Sequence, residues 1–225
     1  TILLARTVLA NYVSINYYYY MPSKNRIKEY APDSYYHVYN RGVNKKIIFN
    51  TTQDYAVFLN ILKRHLGDQE QKDPSGRPYF QFGDSIELLA FCLMPNHFHL
   101  FLYQSNSERT IELLMRKMIT AYVMYYNRTH KRIGPLFQDR YKASRIDNDA
   151  YLLHISRYIH RNPLNYAAYE WSSLPYYLGE KNAEWVKPNR IQELFDSPDE
   201  YMKFLEDLDG IEDSESIVNL YLADK

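Results

Sequence analysis

His97 and His99 stand two residues apart in an apolar run, His97 to Gln104, whose pattern predicts a β-strand. Alternate side chains of a strand share a face, so both imidazoles project together while Phe98, Leu100 and Leu102 point the other way. Two imidazoles so placed can hold one divalent ion, although His-x-His alone reads equally well as a pair of structural histidines. An ion with open positions would act as a Lewis acid on a phosphate oxygen and needs an attacking group beside it. No Ser-His-Asp or Cys-His arrangement is legible. Tyrosine, which can form covalent intermediates, is abundant at 24 residues.

On a helix, a ligand-type residue four positions after a tyrosine shares its face. Among the tyrosines that meet this condition are Tyr12 with Asn16, Tyr36 with Asn40, Tyr126 with His130, Tyr158 with Asn162, and Tyr166 with Glu170. Tyr12 falls in a leader segment, Tyr36 in a predicted strand, and Tyr166 after the helix-stopping Pro163. Tyr126 and His130 fall at the end of a long helix, where solvated side chains are expected. Tyr158 and Asn162 border the apolar stripe of Leu152, Ile155 and Ile159, a position suited to a half-buried site facing a sheet. An ordinary packing aromatic is the other reading of Tyr158.

The elements that would position these groups follow from periodicity. Tyr35 to Arg41 reads as a strand ending at Gly42, and Tyr55, Phe58, Leu59 and Leu62 recur at helical spacing. Gly67 to Pro78 is a polar loop. Ile86 to Met94 and His97 to Gln104 are apolar runs joined by Pro95 and Asn96, a tight hairpin. Ile111, Leu114, Met115, Met118, Tyr122 and Tyr125 mark a long helix, with Ser107 as its expected cap and Gly134-Pro135 beyond it. A strand from Tyr141 to Ile146 and a helix from about Ala150 to Asn162, capped by Asp147 or Asp149, complete the order β-α-β-β-α-β. That order predicts an α+β, ferredoxin-like (split βαβ) antiparallel sheet with helices.

The formal net charge is zero, but residues 191–225 hold 11 acidic and 2 basic side chains, while residues 109–161 hold 11 basic and 4 acidic. The basic stretch is a footprint for a polyanion. Its Arg128, Lys131, Arg132, Arg140, Lys142 and Arg145 are candidate phosphate contacts. The single cysteine, Cys92, cannot close an internal disulfide, which makes a reducing cytosol the expected compartment. No apolar run approaches the roughly 20 residues of a transmembrane helix, and the N-terminal stretch lacks the pattern of a secretory signal. Residues 1–20 are expected to be leader sequence, 21–180 the domain, and 181–225 an acidic C-terminal extension with helical character.

Met94-Pro95-Asn96-His97-Phe98-His99, followed downstream by Arg157-Tyr158-Ile159-His160-Arg161-Asn162-Pro163, resembles the REP-associated tyrosine transposases of the single-tyrosine HUH transposase superfamily. The resemblance extends to Tyr36 through Gly42, Gly134 through Lys142, and Trp171-Ser172-Ser173, covering about Tyr35 to Gly179. It implies an endonuclease that cleaves and rejoins single-stranded or hairpin DNA at palindromic elements through a 5′-phosphotyrosine. By the resemblance, His97 and His99 are metal ligands, Tyr158 is the nucleophile, and Asn162 stands where related transposases carry a glutamine ligand. Asparagine is one methylene shorter, so a water could bridge it to the metal. The implied cofactor is Mg²⁺ or Mn²⁺. Arg157 and Arg161 are the nearby cations that would help activate the tyrosine and contact DNA, and His154 is a candidate proton acceptor. A bacterial, nucleoid-associated cytoplasmic location is implied, with monomer and homodimer both open. Two other readings stand beside this one. The chain could be a non-catalytic single-stranded nucleic-acid-binding module on a ferredoxin-like sheet, or a metal-dependent hydrolase without a covalent step.

Overall fold

The computed structural model describes residues 30–105, 109–146 and 149–207, without side chains at 149 and 150. Strand β1 (Ser34–Arg41) leads through a 3-10 turn (Val43–Lys45) into helix α1 (Thr52–Leu66). Strands β2 (Ile86–Met94) and β3 (His97–Gln104) form the hairpin, followed by α2 (Thr110–Thr129), β4 (Lys142–Ile146) and α3 (Asp149–Arg161). Short helices α4 (Leu174–Tyr177) and α5 (Asn189–Gln192) and the longer α6 (Pro198–Glu206) come after them. The strands lie in the order β2-β3-β1-β4, each neighbouring pair antiparallel. This is the expected α+β, ferredoxin-like arrangement.

The sheet has an apolar core on each face. On one, Tyr36, Val38, Phe98 and Leu100 pack with Phe58 and Leu62 of α1 and with Ile111, Leu114 and Met118 of α2. On the other, Cys92, Phe101 and Ile146 pack with Leu152, Ile155 and Ile159 of α3. Residues beyond 180 join both cores. Trp185 and Val186 enter the first, and Ile191, Tyr201 and Leu205 the second.

Local chemistry sets the element ends. Thr51 caps α1 by accepting from the Asp54 amide, and the Asp54 carboxylate accepts from the Thr51 amide, a reciprocal cap contributing about 1 kcal/mol. Helix α2 has Arg109 at its cap position with no side-chain cap bond. Ser107 and Asp147, the caps expected from sequence, lie outside the described residues, as does the leader.

The end of α2 differs from expectation. Tyr126 is only 2% exposed, and its hydroxyl donates to the Ile47 carbonyl. His130 reaches back to the buried Asp54 carboxylate, with Nε2 at 2.9 Å from Oδ1. This ion-pair geometry ties the end of α2 to the start of α1, so the pair is structural rather than solvated.

Helix α3 is fastened to the sheet by its own motif. His160 is fully buried, with Nδ1 2.6 Å from the Tyr201 hydroxyl and Nε2 2.7 Å from Ser173 Oγ. Ser173 Oγ in turn accepts from the Phe91 amide of β2 at 2.8 Å. The helix ends before Pro163, leaving Asn162 just past its last turn.

Candidate active site

Strand register gathers the site. Arg41 lies opposite His97 and Tyr39 opposite His99 on the β1–β3 ladder, and Lys142 of β4 lies opposite Tyr39. Residues directly opposite share a face, so Arg41, Tyr39, His37, His97, His99 and Lys142 all face the side covered by α3. There Tyr158 lies edge-on to His99, with ring centroids 5.3 Å apart, and to His37 at 6.0 Å. A cleft of about 120 Å³ opens between them, lined by His97, His99, Tyr158, Tyr39, Arg41 and Lys142, with Asn40, Gln138 and Asp139 at its edge.

The hydrogen bonds around His97 fix its tautomer. The Asn96 side chain donates from Nδ2 to the Lys45 carbonyl at 3.2 Å, which orients the amide, and its Oδ1 lies 2.6 Å from His97 Nδ1. His97 therefore carries its proton on Nδ1 and presents a lone pair at Nε2. Burial, and then the Arg41 guanidinium, push its pKa down to about 4, against an opposing contribution from Asn162, so it is neutral at pH 7. Its Nε2 faces Asn162 Oδ1 at 3.1 Å. Two lone pairs meet there, and either a cation between them or rotation of the Asn162 amide reconciles the contact.

His99 completes a donor set. Its Nδ1 lies 2.9 Å from His37 Nε2, while His99 Nε2 and His37 Nδ1 are buried without a hydrogen-bond partner. When His99 donates from Nδ1 to His37, its Nε2 is a bare lone pair, the state a metal ion requires. Burial holds His99 well below its ordinary pKa, reinforced by His37, His97 and Arg41, and burial holds His37 at about 3. The set of two imidazole nitrogens and one amide oxygen fits a divalent ion, with Mn²⁺ or Zn²⁺ better matched to nitrogen than Mg²⁺. Among the described residues, no three His, Cys, Asp or Glu side chains gather to hold a metal, and the Asn162 amide oxygen is the further donor within hydrogen-bond distance of His97 Nε2.

Local spacing does not single out His37, Arg41 or Asn96. His37 reads as one more polar residue in a buried strand, and its signal is register: it lies two positions before Tyr39, the partner of His99. The basic candidates divide. Lys142 lines the cleft, whereas exposed Arg145, opposite Tyr36, faces the α1–α2 side. Arg128, Lys131 and Arg140 are exposed, and Arg132 is half-buried beyond the end of α2.

Arg157, expected as a DNA-contacting cation beside Tyr158, is turned away from the cleft. It is 2% exposed, its guanidinium donates to the Phe204 carbonyl, lies 3.6 Å from the Phe204 ring centroid, and pairs with Asp207 at 3.6 Å. Arg161 likewise donates to the Leu205 carbonyl at 2.7 Å. Both are turned to the end of α6, whose exposed carbonyls attract cations. The cations of the cleft are Arg41 and Lys142. His154 is half-buried on α3 and does not line the cleft.

Among the described residues, no helix is long and apolar enough to cross a membrane. No curated protein sequence matches the chain. One similar solved structure is a REP-associated tyrosine transposase bound to a REP hairpin, at 15% identity and TM-score 0.49, covering 74% of this chain and 92% of that one. Another is the tRNA(His) guanylyltransferase of Saccharomyces cerevisiae, at 12% identity and TM-score 0.38, covering 80% and 79%. At such scores neither likeness speaks to chemistry. The family described as "Transposase IS200 like" matches residues 81–162, the stretch that holds His97, His99, Tyr158 and Asn162. That segment runs from β2 through the histidine strand to the end of the tyrosine helix, and over it the chain is similar to the IS200-like transposases.

Proposed function

We propose that the protein is a metal-dependent, single-stranded DNA endonuclease and strand transferase, with Tyr158 as nucleophile and His97, His99 and Asn162 as the metal ligands. The observation that carries the reading is the convergence of the unpartnered His99 Nε2, the His97 Nε2 facing Asn162, and the Tyr158 ring in one basic cleft. His97, His99 and Asn162 would hold a divalent ion, which when bound would supply Lewis-acid polarisation of a phosphate oxygen. The Tyr158 oxygen attacks phosphorus, the bond from phosphorus to the 3′-oxygen breaks, and that oxygen takes up a proton as a free 3′-hydroxyl. A 5′-phosphotyrosine remains, and the reverse attack by a 3′-hydroxyl rejoins the strand. The phenolic proton leaves as the P–O bond forms, and the positive field of Arg41 and Lys142 favours the phenolate.

Palindromic hairpin DNA as substrate, and a bacterial, nucleoid-associated location, rest on the sequence motifs. Incubating the protein with 5′-labelled and 3′-labelled hairpin oligonucleotides and Mn²⁺ tests the reading on a denaturing gel. The expected result is a protein-linked band carrying the 3′ label and a free fragment carrying the 5′ label. Two free fragments would indicate a hydrolase, and an intact strand a binding module.

A further inference from the structure

We propose that the hollow between the β1–α1 loop and the end of α2 is a second DNA subsite, which seats a nucleotide of the single strand whose neighbouring phosphate lies in the cleft. The inference rests on the proposed function. The hollow encloses about 470 Å³, the size of a small-ligand pocket, and three cations line it, Lys45, Lys46 and Arg132, with no carboxylate. A cavity of that charge attracts an anion, and the backbone phosphates of the strand are anions in covalent continuity with the cleft.

The loop is built to hold its lysines out. Asn44 and Lys45 take positive φ values of 52° and 58°, and strain of this kind persists only where the surroundings impose it. They do so here. The Ile48 and Phe49 amides donate to the Pro95 carbonyl at 2.8 and 3.1 Å, and the Gly42 amide donates to the Asn96 carbonyl at 2.9 Å, which locks the loop onto the tip of the β2–β3 hairpin. Inside the hollow, Asn50 Nδ2 donates to the Tyr126 hydroxyl at 2.7 Å. Arg132 is steered by the Pro135 carbonyl at 3.3 Å. Ile47, 51% exposed at the rim, offers an apolar surface for a base.

Continuity with the cleft follows from the backbone. Arg41 lines the cleft and Val43 the hollow, with only Gly42 between them. The Asn96 side chain spans the two sites, bonded to the Lys45 carbonyl on one side and to His97 on the other. The geometry assigns phosphate contacts to Lys45, Lys46 and Arg132 and base contacts to Ile47 and Asn50.

The test is a walk of single neutral methylphosphonates along a single-stranded oligonucleotide, with binding read by fluorescence anisotropy. It compares the Tyr158→Phe protein with the same protein carrying K45Q, K46Q and R132Q. In the parent, one or two positions outside the cleavage point should weaken binding severalfold, and in the combined variant those positions should cease to matter. The slope of log affinity on log salt should fall by about 2 in the combined variant and about 1 with K45Q and K46Q alone, both exposed and without consequence for folding. An unchanged position map and salt slope in both variants would overturn the subsite. Adduct formation by the wild-type protein on the same strand reports separately on the proposed function, so the two readings fail independently.

Discussion

Tyr158→Phe removes one oxygen from the cleft and leaves the ring that packs on His99 and His37. The expected variant melts within a few degrees of the parent, binds hairpin DNA with the same affinity, and forms no covalent adduct. His37 acts at one remove. When it accepts from His99 Nδ1, the other nitrogen is left bare, so His37→Phe should weaken Mn²⁺ binding by about 10- to 100-fold. Calorimetric titration of the metal reads this directly, and His37→Gln, which retains an acceptor, should recover part of the loss. An unchanged Mn²⁺ affinity in His37→Phe would remove His37 from the site. The His97–His99 pair and the Tyr158–Asn162 pair are legible from local spacing, because each lies within one strand or at one helix end. His37 is not, because its part is set by a hydrogen bond across 62 positions of sequence.

Gly42 and α3 decide how the elements hold these groups. A Cβ on Gly42 would stand 2.1 Å from the Lys46 carbonyl oxygen and 2.8 Å from Ile48 Cγ2, while its φ of −61° is open to any residue. The requirement is for space. Gly42→Ala should cost about 2 to 3 kcal/mol, read as a lowered urea midpoint, since the clash is with backbone and must displace the loop. Arg157 makes the opposite case for charge. Arg157→Leu should leave the salt dependence of DNA binding unchanged and lower stability by about 2 to 4 kcal/mol, as it strips a buried partner from the end of α6. A reduced salt slope in that variant would restore Arg157 as a DNA contact. Its spacing beside Tyr158 and the charge of the surrounding stretch point to a phosphate. What outweighs them is the packing of α6 on α3, which no local pattern encodes. The strands and helices themselves are legible because the alternation, the Pro95-Asn96 turn and the Pro163 stop act within a few residues.

Across the whole molecule, the buried imidazoles couple stability to pH. Burial holds His37 and His160 at about 3, and burial with Arg41 holds His97 at about 4. In the unfolded chain each takes up a proton below about pH 6.5. The unfolded state therefore binds more protons between that pH and the folded values, and stability is lost as pH falls through this window. At pH 5 the loss is about 2 kcal/mol for each imidazole. The urea midpoint should drop steeply from pH 7 to pH 5, and a flat midpoint would mean that these rings are solvated. The charge division along the chain is plain in the sequence. The structure adds that Trp185, Val186, Ile191, Tyr201 and Leu205 are part of the cores, so the acidic segment is joined to the body through α6.

Peptide mapping of the covalent adduct by mass spectrometry, after Mn²⁺-dependent cleavage of a hairpin oligonucleotide and nuclease trimming, tests the central claim most directly. The account predicts a nucleotide joined through its 5′-phosphate to the peptide that contains Tyr158, absent when His97 or His99 is replaced by alanine. An adduct on another residue, or cleaved DNA with no adduct on any peptide, would contradict it.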